Sequence, residues 1–148
     1  KNASGYGVFA SGAGTEVVLK KMTVEECQYS GVCVYRGAQL VATECHFHQN
    51  GVHGVLVGGS TTTVRLTNCT SHHNKFDGVL ATSGAVVDLM GAGTSVHDNE
   101  RHGLFAFDSG STINVYQPCV LNDMSHGNKD QNIYELFGSR VQQKDSKK

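Results

Sequence analysis

Two stretches of the sequence, NGVHGVLVGGS at residues 50–60 and NKFDGVLATSG at residues 74–84, are near copies of each other. In both, an asparagine is followed four residues later by a glycine that begins a short run of alternating apolar residues. Such runs recur along the chain, beginning at Gly7, Gly31, Gly54, Gly78 and Gly103 and, in a degenerate form, at Asn132. The successive intervals are 24, 23, 24, 25 and 29 residues. A fixed period of this length indicates a stacked repeat.

Each period contains three short alternating runs separated by turn residues. In the third period they are GVLV at 54–57, TVRL at 63–66 and CTS at 69–71. Runs this short do not make helices and cannot bury a face alone, but stacked coils let each strand hydrogen-bond to its equivalent about 4.8 Å away. The sequence therefore predicts an all-β fold: a right-handed, single-stranded parallel β-helix, or solenoid, of about six coils of 23–25 residues.

The repeat pattern N-x-x-x-G-[VIL]-x-[VA], with Asn68-Cys69 at a short corner, resembles the parallel β-helix repeat of the pectate-lyase-like superfamily. The resemblance covers roughly residues 4–142 and implies the fold. It implies no single activity, because the superfamily includes lyases, hydrolases, epimerases, viral fibre proteins and binding scaffolds. We expect residues 1–142 to form one β-helix domain that is a piece of a longer protein, and residues 143–148 to form a polar, mobile tail.

Composition narrows the possible partners. A formal net charge of −1 and a sequence pI near 6.8 give no general attraction to nucleic acid or to an anionic membrane, so we expect neither partner. No run approaches the roughly 20 apolar residues that span a bilayer. The five cysteines are odd in number and form no CxxC pair, which favours buried free thiols over disulfides or a zinc ribbon. Nothing in the sequence indicates the compartment.

Strand alternation assigns the side chains of the third strand as well. We expect the inward positions to be Met22/Val24, Cys45/Phe47, Cys69/Ser71, Thr94/Val96 and Cys119/Leu121 in successive coils. Three of the cysteines would then stack as small apolar fillers of the core. We attribute the long last interval to extra residues in MSHGNKDQ, residues 124–131.

The outward positions of the glycine-led strand predict a binding surface. They are Phe9, Cys33, Leu56, Leu80, Phe105 and Tyr134, flanked by Tyr35 and Phe107. In the enzymes that the repeat resembles, this face carries acids and a base, whereas here it carries neither. Leaving such side chains wet forfeits on the order of 1.5 kcal/mol each. We expect protein to cover the stripe, either a second copy or a parent-chain segment; a stacked sugar, or a one-residue shift that turns the stripe inward, are the alternatives.

Histidine is frequent, with eight in 148 residues, and the repeat places most of these residues in two columns. One column is Glu25/His48/His72/His97 and the other is His53/Asp77/His102. Neighbouring coils put such side chains about 5 Å apart. A solvated ladder is the simplest interpretation; a divalent metal on His48, His72 and His97 and acid–base catalysis by His53, Asp77 and His102 are the alternatives. The second column resembles, in residue type only, the His and Asp residues of alginate epimerases and lyases of this fold.

The apolar stripe and the histidine columns predict the function. We predict a non-catalytic interaction module that needs no cofactor and docks to protein, in a homo-oligomer or with a parent-chain partner, through the apolar stripe. The alternative is a polysaccharide-binding or polysaccharide-modifying domain, lyase-like or epimerase-like, that takes acidic sugar polymers at the His/Asp column. Whether the protein is an enzyme is left open at this stage.

Overall fold

The computed structural model describes residues 5–145, which form seventeen short strands and one four-residue helix. The strands belong to three sheets. The first sheet contains, in order, β1 Val8–Ser11, β4 Val32–Tyr35, β7 Val55–Gly58, β10 Val79–Thr82, β13 Leu104–Phe107 and β16 Ile133–Leu136. The second contains β2 Glu16–Lys20, β5 Gln39–Thr43, β8 Thr63–Thr67, β11 Val86–Met90, β14 Thr112–Tyr116 and β17 Arg140–Lys144. The third contains β3 Thr23–Glu25, β6 His46–His48, β9 Thr70–His72, β12 Ser95–His97 and β15 Ser125–His126.

Every strand pairs in parallel with its equivalent one coil away. Val8 pairs with Val32, Val32 with Val55 and Val55 with Val79, so one register position runs through the whole stack. The predicted right-handed parallel β-helix of about six coils is therefore confirmed. Each coil has three sides, and the glycine-led strand forms the first of them.

The corners depend on residues with left-handed backbone geometry. Lys21, Glu44 and Asn68 have φ of 52°, 55° and 53° between the second and third strands. A further column follows the third strand, with φ between 54° and 56°, at Glu26, Gln49, His73 and Asp98. Each non-glycine residue in this region costs of order 1 kcal/mol, which the surrounding strand ladders offset. The turns are thus fixed by the stack rather than by local preference.

The core is one continuous cluster of inward apolar side chains from all three sheets, most of them small or medium in size. Val32, Val55, Val79 and Leu104 are completely buried. Cys45, Cys69 and Cys119 are buried free thiols, as expected. The inward prediction for Met22 is wrong, because this side chain is 48% exposed on the first coil.

The helix α1, Leu121–Met124, is the one irregular segment of the described stack. Val96 pairs with Ser125, so Ser125 takes the inward place that we predicted for Leu121. The distance from Ser125 to Ile133 equals that from Val96 to Leu104, eight residues in each case. The extra residues therefore lie before β15, around α1, and the prediction that placed them in MSHGNKDQ is wrong.

A ladder of buried asparagine amides holds successive coils together. Asn74 Nδ2 donates to Asn99 Oδ1 at 2.9 Å and Asn50 Nδ2 donates to Asn74 Oδ1 at 3.0 Å. The backbone N–H of Asn50 also donates to Asn74 Oδ1, at 3.1 Å. Asn128 continues the ladder, and its amide donates in turn to Asn132 Oδ1 at 2.9 Å. The hydrogen bonds offset the cost of removing these amides from water, because both their donors and their acceptors are bonded.

The last strand of the described residues is β17. This strand pairs with β14 as far as Lys144, two residues beyond the predicted domain end at residue 142. Of the predicted tail, residues 146–148 lie outside the described residues. In the part of the chain that the structure describes, no helix is long and apolar enough to cross a bilayer.

Candidate functional site

The outward side chains of the first sheet form a continuous column, which we call the outer stripe. Its members are Phe9, Cys33, Leu56, Leu80, Phe105 and Tyr134, each paired in register with the next. Val55 and Val57 on either side of Leu56 are fully buried, whereas Leu56 itself is partly exposed. The alternative of a one-residue register shift is therefore excluded.

An aromatic cluster covers the N-terminal end of the outer stripe. The ring of Phe9, which is 56% exposed, lies 5.5 Å from that of Tyr6 and 6.5 Å from that of Tyr35. Tyr29 adds a fourth ring, 5.6 Å from Tyr6. These centroid distances are typical of favourable aromatic pairs.

A second aromatic cluster covers the C-terminal end. Phe105 lies 5.1 Å from Tyr134 and 6.0 Å from Phe107. Phe107 in turn contacts Phe137, which is 70% exposed, at 5.3 Å. The outer stripe thus has aromatic side chains at both ends, with Cys33, Leu56 and Leu80 between them.

Cys33 has to be removed from the exposed stripe. Its side chain points outward in register with Phe9 and Leu56, yet it is 0% exposed. The hydroxyl groups of Tyr6 and Tyr35 hydrogen-bond with its sulfur and cover it. Burial raises the pKa of the Cys33 thiol to about 11, the tyrosine contacts opposing this, so the thiol is not a reactive nucleophile at neutral pH.

Tyr35 extends the N-terminal cluster across the next coil. A Cβ atom at Gly58 would collide with the Tyr35 ring, so glycine at this position lets the ring lie flat on β7. Burial, with the neighbouring Cys33, raises the pKa of Tyr35 to about 12. A shallow hollow of about 330 Å³ beside the ring is also lined by Arg36 and Ser83.

The predicted catalytic column does come together, but its side chains bond the backbone of the next coil. His53 Nδ1 accepts from the backbone N–H of Asp77 at 3.2 Å, and Asp77 Oδ1 accepts from the backbone N–H of His102 at 3.0 Å. Ser30 Oγ accepts from His53 in the same way, at 3.2 Å. This column therefore supplies the turn with acceptors, which is a structural role.

Two polar atoms in this column nevertheless have no hydrogen-bond partner. They are Asp77 Oδ2 and His102 Nδ1, on side chains that are 1% and 5% exposed. Asp77 Oδ2 lies 3.2 Å from His53 Nδ1, but that nitrogen already accepts from the Asp77 backbone, so the contact is attractive only when a proton lies between the two atoms. Burial lowers the pKa of His102, with Asp77 opposing the effect. The His102 ring packs 4.4 Å from Tyr134, at the edge of the outer stripe.

The other histidine column is a stack of parallel imidazole rings, which we call the imidazole stack. His48, His72 and His97 are separated by 4.9 and 4.8 Å with ring planes within 5° of parallel. His126 continues the stack at 5.2 Å, a member that the sequence analysis missed. His126 stands two residues before Asn128, as His48, His72 and His97 stand two residues before the asparagines of their own coils. This signal was missed because the extra residues were assigned to MSHGNKDQ.

The imidazole stack as it stands does not converge on a metal. Zn²⁺ bound at about 2.0–2.1 Å needs ligand nitrogens about 3.3 Å apart, whereas equivalent atoms of parallel rings stay as far apart as the rings, at 4.8–4.9 Å. Within residues 5–145, no three His, Cys, Asp or Glu side chains are arranged to hold one metal ion. An ion shared by His48, His72 and His97 would require the rings to leave the stack.

Comparison with known families agrees with this architecture. The family described as "Right handed beta helix region" matches residues 1–120, most of the chain. The chain belongs to the right-handed β-helix family. The match ends directly before α1, where the β-helix loses its regular period. No curated protein and no solved structure matches the chain. Membership of the β-helix family accounts for the fold and leaves the activity open.

Some aromatic members of this β-helix surface were also missed from the sequence. Tyr6 and Tyr29 lie in turns and Phe137 lies just beyond β16, so alternation along a strand does not place them. Aligning the equivalent turns of successive coils would have placed the first two of them. Tyr6, Tyr29 and Val52 occupy such turns, which are joined by backbone hydrogen bonds such as that from Val52 N–H to Tyr29 O at 3.2 Å.

Proposed function

We propose that this β-helix is an interaction module that pairs with a second copy of itself through the outer stripe. The observation that carries the proposal is the two-ended pattern of the stripe, aromatic at Phe9 and at Phe105/Tyr134 and aliphatic at Leu56 and Leu80. No member of the stripe is an acid or a base. An exposed apolar stripe on a soluble stack is more stable when it is covered.

The pattern suits a symmetric pair. A two-fold axis that runs parallel to the strands, between β7 and β10, would bring coil one of one copy onto coil six of the other. Phe9 would then face Tyr134 of the second copy, and Leu56 would face Leu80. Both aromatic ends would meet aromatic partners, and the aliphatic centre would meet itself.

The size of the surface sets the expected strength. Six strands about 4.8 Å apart and four residues of about 3.3 Å each give a face of roughly 29 by 13 Å, or roughly 380 Å². A standard stable interface buries about 800 Å² on each partner. Exposed neighbours such as Tyr6 and Phe137 add area, but the total favours a dimer with a Kd of about 1 μM or weaker.

Sedimentation velocity over a wide concentration range tests the proposal. We expect the sedimentation coefficient to rise from the monomer to the dimer value, and Leu56→Arg to shift the midpoint at least tenfold, because the charge would be placed beside the axis. Val18→Arg is the matched control, since Val18 is an outward mid-strand residue of the second sheet and is 67% exposed. A particle that stays monomeric, or equal effects of the two substitutions, would refute self-pairing.

A second candidate rests on a different observation, the two unpartnered atoms Asp77 Oδ2 and His102 Nδ1. Because His102 lies beside Tyr134, the two atoms suit a polymer with hydroxyl and carboxylate groups, such as an acidic polysaccharide whose sugar ring stacks on the tyrosine. With His53 they would form an acid–base column able to remove a proton next to a sugar carboxylate and to protonate the leaving oxygen. Loss of the proton and of the leaving group yields an unsaturated sugar; return of the proton from the opposite face yields the epimer.

Incubation with alginate and pectin tests this candidate. Unsaturated ends or changed sugar configuration that are lost in His102→Gln, but kept in His46→Gln on the third sheet, would support it. The absence of both product formation and binding to these polymers would refute this candidate and would leave the self-pairing proposal untouched.

A further inference from the structure

Three successive coils repeat a side-chain contact beside the imidazole stack. In these coils the Nδ1 atom of His48, His72 or His97 contacts the side chain of the following residue, which has left-handed backbone geometry. The contacts are His48 Nδ1 to Gln49 Oε1 at 2.9 Å, His72 Nδ1 to His73 Nδ1 at 2.7 Å and His97 Nδ1 to Asp98 Oδ2 at 2.8 Å. Only the middle coil places two imidazole nitrogens together.

The Nδ1 atoms of His72 and His73 lie 2.7 Å apart, a hydrogen-bonding distance that is also close to the separation of two nitrogen ligands on one ion. Two nitrogens that each bind an ion at about 2.0 Å lie about 2.8 Å apart when they occupy adjacent corners of a square, and about 3.3 Å apart in a tetrahedron. The pair therefore matches the bite of a tetragonal ion. Imidazole ligands in this geometry are typical of Cu²⁺ and Ni²⁺ rather than Zn²⁺.

We propose that His72 and His73 form a bidentate site for a tetragonal divalent transition ion, of which Cu²⁺ binds best, with water completing the coordination. The site is independent of the proposed self-pairing, because it lies on the third side of the coil and not on the outer stripe. It also differs from a metal shared down the imidazole stack, since its two ligands are consecutive residues of one coil.

The protonation state of the pair suits metal binding. A neutral imidazole carries a hydrogen on one ring nitrogen and a lone pair on the other. One hydrogen now lies between the two Nδ1 atoms. An ion that binds both atoms moves this hydrogen to the Nε2 of the same ring, so each ring keeps one hydrogen and no net proton is released.

The surroundings favour a cation. The carboxylate of Asp98 occupies the same column as His73 one coil further on, and its pKa is lowered first by the hydrogen bond from His97, with smaller contributions from His73 and His126. His73 also lines a shallow hollow of about 340 Å³ with Glu26, Glu100 and Lys75, which offers room for coordinated water. The nearby negative charges outnumber Lys75, and the exposed His73 side chain leaves the site open to ions in solution.

Isothermal titration of the full chain with Cu²⁺, joined by electron paramagnetic resonance, tests the site. We expect one ion per chain and a tetragonal spectrum with hyperfine splitting from two nitrogens. His73→Gln should weaken binding at least about tenfold, since even outer-sphere substitutions at metal sites cost about 10- to 100-fold. This variant is expected to fold, because Gln49 already holds the equivalent place with φ of 56° against 55° for His73.

The reciprocal substitution provides a gain of function. Gln49→His would build the same pair beside His48, and we expect two ions per chain instead of one. His126 serves as the internal control, because the next residue is Gly127, which offers no second ligand; His126→Gln should leave the stoichiometry and the affinity unchanged. Wild-type affinity in His73→Gln, a single ion in Gln49→His, or an equal loss in His48→Gln would each overturn the proposal.

Discussion

Mild acid should weaken this protein through the imidazole stack. In the folded chain, burial and the adjacent imidazoles lower the pKa of His72 from 6.5 to about 4. Between these two values the unfolded chain binds a proton at this residue and the folded chain does not. Stability contributed by the neutral ring is therefore complete above about pH 6.5 and is lost as the pH falls towards about pH 4.

The magnitude follows from the two pKa values and the exposure of the ring. A lowering from 6.5 to about 4 corresponds to about 3.4 kcal/mol at about 1.36 kcal/mol per pH unit. The ring is only partly buried, so water and salt screen the repulsion, and we expect roughly 1 to 2 kcal/mol. The groups that face it are His48, His97, His73 and His46, with the carboxylates of Glu25 beyond His48 and of Asp98 beyond His97.

Urea unfolding at about pH 7 and about pH 4.5 measures the effect. Carboxylates also titrate in this interval, so the informative quantity is the difference between the wild type and His72→Gln. We expect the acid-induced loss to be roughly 1 to 2 kcal/mol smaller in the variant. His46→Gln, at an exposed histidine bonded to Thr70 outside the stack, removes only the weakest of these neighbouring charges and should reduce the acid-induced loss far less than His72→Gln does. An acid-induced loss in His72→Gln as large as in the wild type would refute the reasoning.

Three further predictions concern buried groups of the β-helix. Asn74→Ala should lower the free energy of unfolding by about 3 kcal/mol in urea titrations, because it leaves the buried N–H of Asn50 without an acceptor; a change under about 1 kcal/mol would contradict the ladder's role. Gly54→Ala should lower the thermal midpoint and cost at least about 2 kcal/mol, because the new Cβ would collide with Ser71 Oγ and lie 2.7 Å from the Gly78 carbonyl oxygen. The Cys33 thiol, fully buried and with its pKa raised to about 11, should resist iodoacetamide in the folded protein and react after unfolding, as peptide mapping would show.

The register of the stack could be predicted from the sequence because each coil must satisfy the same neighbours. The amide of Asn74 bonds to Asn50 in the preceding coil and to Asn99 in the next, so the spacing of these asparagines marks the layers directly. The alternation of buried and outward residues on β7 then followed from the two-residue period of a strand. For these reasons the register of the outer stripe and of the polar columns could be predicted, although the burial of Cys33 and the place of His126 could not.

Side-chain cover and corner geometry could not be predicted in this way. Cys33 is outward by alternation, but its burial depends on the rings of Tyr35, two residues further along β4, and of Tyr6, which lies in the preceding coil. The position of the extra residues before Ser125 depends on which corner can accommodate a short helix, and the repeat alone does not distinguish the corners. The close contact of His72 with His73 likewise depends on the left-handed backbone of His73.

Asn74 makes equivalent amide hydrogen bonds to the coils on both sides of it, so a whole coil can be added to the stack without changing the bonds of its neighbours. Tandem duplication of residues 51–74 would add one layer of about 4.8 Å and leave the existing layers unchanged. A shorter insertion between an asparagine and the following glycine would instead detach an amide from its neighbours. Chains of this design can therefore grow by whole layers, whereas smaller additions accumulate at permissive corners such as the one that carries α1.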